Sequence, residues 1–152
     1  MTEPTTAITV RTARCEDIAA IAELERLCFS VPWSEKALSE TRESPHARLF
    51  CAEDACGIIA YGGMYLLGDT AEITNIATHP EHRRRGAASA VLCALMAAAA
   101  DAGAERICLE VRASNTPAEA LYASHGFVLD GVRKNYYKQP TEHAHLMSRA
   151  LS

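Results

Sequence analysis

The stretch "TNIATHPEHRRRGAASAVL", Thr74 to Leu92, decides the fold. It opens as a strand that ends near Thr78 and turns at His79-Pro80. It then passes through three consecutive arginines, Arg83 to Arg85, meets Gly86, and continues in small apolar residues. The apolar run reads as a helix from about Gly86 to Asp101, ended by Ala102-Gly103. A strand that feeds a helix through a short basic turn admits three readings: a nucleic-acid patch, a solvated charged turn, or a phosphate site. The third has a specific cause. Backbone N–H groups at a helix start lack intrahelical acceptors, and the helix dipole adds partial positive charge there. Gly86, Ala87 and Ala88 would let a bulky phosphate approach the backbone, with arginine side chains supplying outer charge. Neither G-x-x-x-x-G-K-[ST] nor G-x-G-x-x-G occurs, which argues against a nucleoside-triphosphate loop or a dinucleotide fingerprint.

Composition weakens the first reading. The chain has 152 residues, one domain's worth, with 49% hydrophobic and 22% charged residues, as in an ordinary globular protein. Its net charge is -4 and its pI about 5.8, so no general basic field is available for DNA or RNA. Six cysteines occur without a C-x-x-C pair, most of them in apolar runs such as "VLCAL" and "ICLEV". They read as buried free thiols in a reduced cytoplasm, with a disulfide framework as the alternative; no secretory leader is expected. The longest apolar stretch, Gly86 to Ala100, is shorter than the roughly 20 residues a membrane span needs. The opening "MTEPTT" is expected to fray.

Outward from the central stretch, strands and helices alternate. "AITVRTA" reads as a strand and "EDIAAIAELERLCF" as a helix with Ile18, Ile21, Ala22 and Leu24 at helical spacing. "VPWSEKALSETRE" suits a second helix capped by Ser34, with Trp33 stapled onto Leu38 or else facing substrate. "ARLFCAED", "GIIAYGGMYLLG" and "TAEITNIATHP" follow as three strands. After the alanine-rich helix come a strand, "ERICLEV", and a short helix, "NTPAEALYASHG". There Thr116 and Glu119 are expected to form a capping box, with Pro117 in the first turn and Gly126 at the end. "FVLDGVRKNYY" and "AHLMSRAL" close the chain as strands. The class is mixed α/β, with a strand-helix-strand unit near the middle and antiparallel neighbours around it.

"ICLEVRASNTPAEALYASHGF", Ile107 to Phe127, carries the chemistry. Alternation sets Ile107, Leu109 and Val111 on one face and Cys108, Glu110 and Arg112 on the other. Glu110 is a mid-strand carboxylate among apolar neighbours, which is costly unless paired or used; an exposed Glu110–Arg112 ion pair is the plain alternative. Tyr122 shares a helix face with Ala118, Leu121 and His125, and core packing is its plain reading.

With "R-R-R-G-A-A" upstream and "LEVRASN" and "ALYASHGF" downstream, the chain resembles the GNAT superfamily of acetyl-CoA-dependent N-acetyltransferases. Within it the chain is most similar to the RimI family, the bacterial ribosomal-protein-alanine N-acetyltransferases. "VPWSEKAL", "NIA", "HPEHRRRG" and "RKNYY" fall in that family's order, so the likeness covers most of the chain. It implies one GNAT domain over the whole chain, with a mixed, mostly antiparallel central sheet flanked by helices. It also implies that the backbone of Ile76, Ala77 and Thr78 lines the acetyl-pantetheine arm. By the same likeness Arg84, Arg85, Gly86, Ala87, Ala88 and Ser89 cradle the pyrophosphate, and Asn115 hydrogen-bonds the CoA arm. Glu110 would be the general base and Tyr122 the general acid. Trp33, Arg133, Asn135, Tyr136 and Tyr137 would flank the acceptor channel. Ala88 stands where the pattern more often has glycine, and His143 where an acidic residue is common.

The chemistry is consistent with those roles. Acetyl transfer from a thioester needs a neutral amine, a stabilised oxyanion and a protonated leaving thiolate. An α-amine of pKa about 7.8 costs about 1.1 kcal/mol to deprotonate at pH 7, whereas a lysine at about 10.4 costs about 4.6. The expected function is acetylation of the N-terminal amine of a protein, an alanine of a ribosomal protein, with acetyl-CoA as co-substrate and no metal. A lysine side chain or small amine is the alternative acceptor. A non-catalytic CoA-binding module is the alternative class, and it would need neither Glu110 nor Tyr122. His143 and His145 share a strand face, but no further metal ligand lies near them in sequence. The expected partners are a protein N-terminus and CoA, with no nucleic acid and no membrane.

Overall fold

The computed structural model describes residues 7–151, so the "MTEPTT" segment lies outside the described residues. The strands are β1 (Thr9–Thr12), β2 (Ala47–Asp54), β3 (Gly57–Leu67), β4 (Thr70–Thr78), β5 (Arg106–Arg112), β6 (Val128–Tyr137) and β7 (Glu142–Ala150). The helices are α1 (Ile18–Cys28), α2 (Glu35–Glu43), α3 (Ala87–Asp101) and α4 (Thr116–Ser124). One seven-stranded sheet runs in the order β1-β2-β3-β4-β5-β7-β6. Every neighbouring pair is antiparallel except β4 and β5, which the α3 crossover makes parallel. The mixed, mostly antiparallel sheet flanked by helices is the architecture expected from the sequence.

That parallel pair is short. It holds only from Thr70 to Glu72 against Arg106 to Cys108, after which the strands part. A β-bulge marks the same level: Gly63 opposes Asn75 and Met64 opposes Ile73, which leaves Thr74 as the extra residue on β4. The added residue increases local twist and bends the strand. Beyond it, β3 still pairs with one edge of β4, while the other edge has no strand partner among the described residues. The sheet therefore opens into two wings around a cleft.

The two faces carry separate cores. One gathers Val91, Leu92, Leu95 and Ala99 of α3 with Ala60, Met64, Ile107, Leu109 and Tyr122. The other gathers Ile18, Ile21, Ala22 and Leu24 of α1 with Leu38 and Tyr61, and Trp33 packs at its margin. The expected period-two and helical stripes fall on these two cores. Ser34 caps α2 as expected, its hydroxyl accepting from the Ala37 N–H at 3.1 Å.

Alanine and glycine let α3 sit close to the sheet. A Cβ at Gly62 would lie 2.5 Å from Val91 Cγ1 and 3.1 Å from Leu95 Cδ1, both fully buried. Gly62→Ala is therefore expected to destabilise the fold by about 1–3 kcal/mol, as overpacking does. That corresponds to a melting temperature lower by about 3–10 °C in a calorimetric scan.

Two expectations need correction. The cysteines are all free, but only Cys51 is buried; Cys15, Cys56 and Cys93 are exposed and Cys28 and Cys108 are intermediate. Cys93 lies in an apolar run but on the outward face of α3, where periodicity decides and local composition does not. The α4 cap is Asn115, not Thr116: Asn115 Oδ1 accepts from the Ala118 N–H at 3.2 Å. Glu119 bonds His145 on β7 instead of closing a capping box, because the sheet offers it a partner.

Candidate active site

The parted strands enclose a cleft of about 600 Å³. Ile73 to Ile76 of β4 form one wall and Leu109 to Arg112 of β5 the other, with Asn115, Ala118 and Tyr122 of α4 alongside. Phe29 to Val31 and Trp33 from the α1–α2 connection, with Tyr136 to Lys138 at the end of β6, complete the rim. Trp33, Ile76, Glu110, Asn115, Tyr122, Tyr136 and Tyr137 are thus brought together from distant parts of the chain. Arg133 and Asn135 do not line the cleft. Arg133 reaches it through its charge, whereas Asn135 lies exposed in the irregular part of β6 and donates its backbone N–H to His143 Nδ1 at 3.0 Å.

Glu110 is half-buried and approached by two groups of β6. The Arg133 guanidinium stands 3.5 Å from its carboxylate and over the Tyr136 ring at 5.1 Å. The Tyr136 hydroxyl donates to Glu110, and that bond, with some burial, holds the phenol above its usual pKa. The Glu110–Arg112 pair considered from the sequence does not form. Arg112 instead donates to the Lys138 carbonyl at 2.8 Å and the Pro140 carbonyl at 2.9 Å, pairs with Glu142 at 3.3 Å, and lies over the Tyr137 ring at 4.6 Å. It fastens the β6–β7 turn, and with it Tyr136 and Tyr137, to the cleft wall.

Tyr122 belongs both to the core and to the cleft. Its ring packs 5.7 Å from Phe127, and burial, with a smaller effect of Tyr137, pushes its phenol up to about 12. Two side-chain contacts hold α4 in place around it. Glu119 bonds His145, and His125 Nε2 meets Ser89 Oγ on α3 at 2.7 Å. His143 and His145 are thereby each occupied by a protein partner, and the described residues contain no cluster of His, Cys, Asp and Glu that could hold a metal.

The arginine turn now has a geometry. Gly86 stands before α3 at φ +82°, a left-handed conformation that glycine adopts freely, and a Cβ there would meet nothing within 4 Å. Its carbonyl accepts from the Ala90 N–H at 2.9 Å, so the N–H groups of Ala87, Ala88 and Ser89 are the ones left without intrahelical acceptors. Free N–H groups and the helix dipole give this open end a partial positive charge. The three arginines differ. Arg85 is paired with Asp54 at 2.9 Å and also meets His82, and that guanidinium holds the Asp54 carboxyl below the usual range. Arg83 leans toward Cys28 Sγ at 3.9 Å. Arg84 is exposed, at φ +65°. The Ser89 hydroxyl is taken by His125, which leaves its backbone N–H for an anion.

Glu25 and Asn75 were not singled out from the sequence. Glu25 is wholly buried and accepts from the Trp33 N–H at 2.8 Å, from Asn75 Nδ2 at 2.8 Å and from the Tyr61 hydroxyl. A signal existed: Glu25 follows Ile18, Ile21 and Ala22 at i+7, i+4 and i+3, in the apolar stripe of α1.

Residues 18–127 match the model of the acetyltransferase (GNAT) family. A Bacillus subtilis relative is 36% identical over 139 residues, 91% of this chain and 92% of its own length. The ribosomal protein bS18-alanine N-acetyltransferase of Haemophilus ducreyi is 35% identical over 125 residues, 82% of this chain and 86% of its own. Among solved structures, the ribosomal-protein-S18-alanine N-acetyltransferase from Escherichia coli superposes with a TM-score of 0.87 at 30% identity, covering 96% of this chain and 95% of that one. The parted β4 and β5, the open start of α3 and these likenesses agree: the chain belongs to the GNAT family and is an acetyl-CoA-dependent N-acetyltransferase.

Proposed function

We propose that the protein transfers the acetyl group of acetyl-CoA to the N-terminal α-amine, an alanine, of a ribosomal protein. The observation that carries the reading is the placement of Glu110 and Tyr122 on one cleft, beside the stretch of β4 that β5 has left. The names of the Haemophilus ducreyi and Escherichia coli relatives supply the acceptor.

The start of α3 holds the pyrophosphate through the N–H groups of Ala87, Ala88 and Ser89, with Gly86 leaving room and Arg84 adding charge. Arg85 serves differently, tying the turn to Asp54. The pantetheine arm lies along Ile76, Ala77 and Thr78, whose backbone can continue pairing with it where β5 has departed. Ala77 contributes backbone alone, since its side chain is buried against α1. Asn115 spends its amide oxygen on the α4 cap, so its NH₂ is the group available to the CoA arm.

Glu110 takes a proton from the incoming ammonium, directly or across a water, and the neutral amine attacks the thioester carbonyl. A backbone N–H of β4 stabilises the oxyanion, and the C–S bond of the tetrahedral adduct then breaks. Tyr122, protonated because burial holds it near 12, donates to the departing sulfur, and the proton that the adduct's nitrogen sheds as the amide forms restores the phenol through solvent. Before the amine arrives, Arg133 sits against the same carboxylate, so the substrate ammonium replaces one cation by another. Trp33, Tyr136 and Tyr137 form walls suited to an extended chain end.

A peptide beginning with alanine and basic further along is expected to be acetylated on its α-amine. The same peptide with a blocked N-terminus and a free lysine should react far more slowly, since that amine needs about 3.5 kcal/mol more to deprotonate. Rates are compared side by side and the modified nitrogen located by fragmentation mass spectrometry. Faster transfer to lysine or to a polyamine would overturn the N-terminal assignment.

A further inference from the structure

Glu25 is a carboxylate at a helical position that otherwise calls for an apolar side chain. Burial raises its pKa, opposed by hydrogen bonds from Trp33, Tyr61 and Asn75. Both oxygens are used as acceptors: Oε1 by the Trp33 N–H, and Oε2 by Asn75 Nδ2 and the Tyr61 hydroxyl. The three donors are not equivalent. A backbone N–H and an amide NH₂ can only donate, whereas a hydroxyl can reverse its role.

Asn75 stands opposite Gly63 at the bulge, lines the cleft, and is held at 2.8 Å through its NH₂. A planar amide that spends its nitrogen on Glu25 keeps its oxygen for another partner, and Asn75 lines the cleft. An acceptor-only carboxylate thus dictates which end of Asn75 the substrate meets. The same carboxylate pins the backbone of Trp33, so one buried group sets both a wall of the acceptor channel and the polar atom facing it.

We infer that Glu25 is a positioning residue that presents the Asn75 carbonyl oxygen to the cleft, and that this oxygen receives an N–H of the acceptor, from the ammonium or first amide of an amine-bearing chain end. The inference rests on the N-terminal acetylation proposed above and adds two residues to it.

The amide orientation makes a specific test possible. In Glu25→Gln, the new side chain has one acceptor and one donor end. With its oxygen on the Trp33 N–H, its NH₂ faces Tyr61, which can rotate to accept, and Asn75, which must flip. The flip puts an NH₂ where the acceptor's N–H should bind. The expected result is an acceptor KM raised about tenfold or more, with acetyl-CoA affinity within about twofold and the fold retained. Adding Asn75→Asp should reverse this. The introduced aspartate accepts from the introduced glutamine through one oxygen and offers the other to the cleft, so the double variant should recover most of the lost acceptor affinity.

An unchanged KM in folded Glu25→Gln would overturn the inference. So would a folded double variant no better than the single one, or acetyl-CoA affinity falling in parallel with acceptor affinity. If Glu25→Gln does not fold, Asn75→Leu removes the oxygen while Glu25 keeps Trp33 and Tyr61; an unchanged acceptor KM there has the same force. Preference of the wild type for lysine would instead sink the N-terminal reading and leave these comparisons to be made on the lysine peptide.

Discussion

Glu110→Gln is expected to lower turnover about 100-fold or more while leaving acetyl-CoA binding nearly intact. The substitution keeps the shape of the side chain and removes its basicity. It also frees Arg133, which loses its charge partner 3.5 Å away, and leaves Tyr136 a neutral acceptor. The deficit should shrink as pH rises, because an α-amine of pKa about 7.8 loses its proton without help above that value. Tyr122→Phe removes only the hydroxyl and should also cost about 100-fold, with a different pH profile. Burial raises the Tyr122 pKa to about 12, so the phenol is protonated throughout about pH 6–10 and the deficit should stay constant there. Steady-state rates over that range, with acetyl-CoA affinity by calorimetry, check both. Wild-type turnover in either variant would reduce that residue to packing, which for Tyr122 the contact with Phe127 would already account for.

Gly86→Asp is expected to weaken acetyl-CoA binding about tenfold or more. A Cβ at Gly86 would meet no protein atom within 4 Å, so the loss does not come from a clash inside the fold. It comes from a carboxylate set beside phosphate oxygens at the start of α3, where like charges a few ångströms apart cost several kcal/mol in a partly screened site. The φ of +82° adds strain for any side chain, about 1–2 kcal/mol, which Asp tolerates better than most residues. Gly86→Ala carries that strain without the charge and separates the two effects. Calorimetry should rank wild type above Gly86→Ala and Gly86→Ala above Gly86→Asp, with circular dichroism showing the fold retained. Equal acetyl-CoA affinities would remove the pyrophosphate from this helix end.

Much of the architecture follows from local rules. The alternation of "ICLEVR" gives the faces of β5, the Ser34 hydroxyl caps α2, and Gly86 starts α3 because the chain must turn left-handed there. The motifs from the arginine turn to "ALYASHGF" carry the family, since they occupy one continuous helix-strand-helix run. Glu110 and Tyr122 both line the cleft; a mid-strand carboxylate is a local signal, whereas Tyr122 stood out only through the resemblance.

What tertiary structure alone decided are the partnerships between distant segments. Sequence placed Arg112 beside Glu110, but strand alternation leaves the two competing with whatever the neighbouring strands bring. β7 and the β6–β7 turn offered Arg112 a carboxylate and two carbonyls, and β6 offered Glu110 an arginine and a phenol. Thr116 and Glu119 satisfied a capping pattern, yet Asn115 took the cap and His145 took the carboxylate. The three arginines looked equivalent, and Asp54, 31 residues earlier, singled out Arg85. Glu25 needed the most assembly: its donors come from 8, 36 and 50 residues away, and only the packed sheet brings them to one carboxylate. Patterning can say which face of an element is buried. Which polar groups meet once it is buried depends on non-local geometry, and in this protein that geometry shapes the cleft.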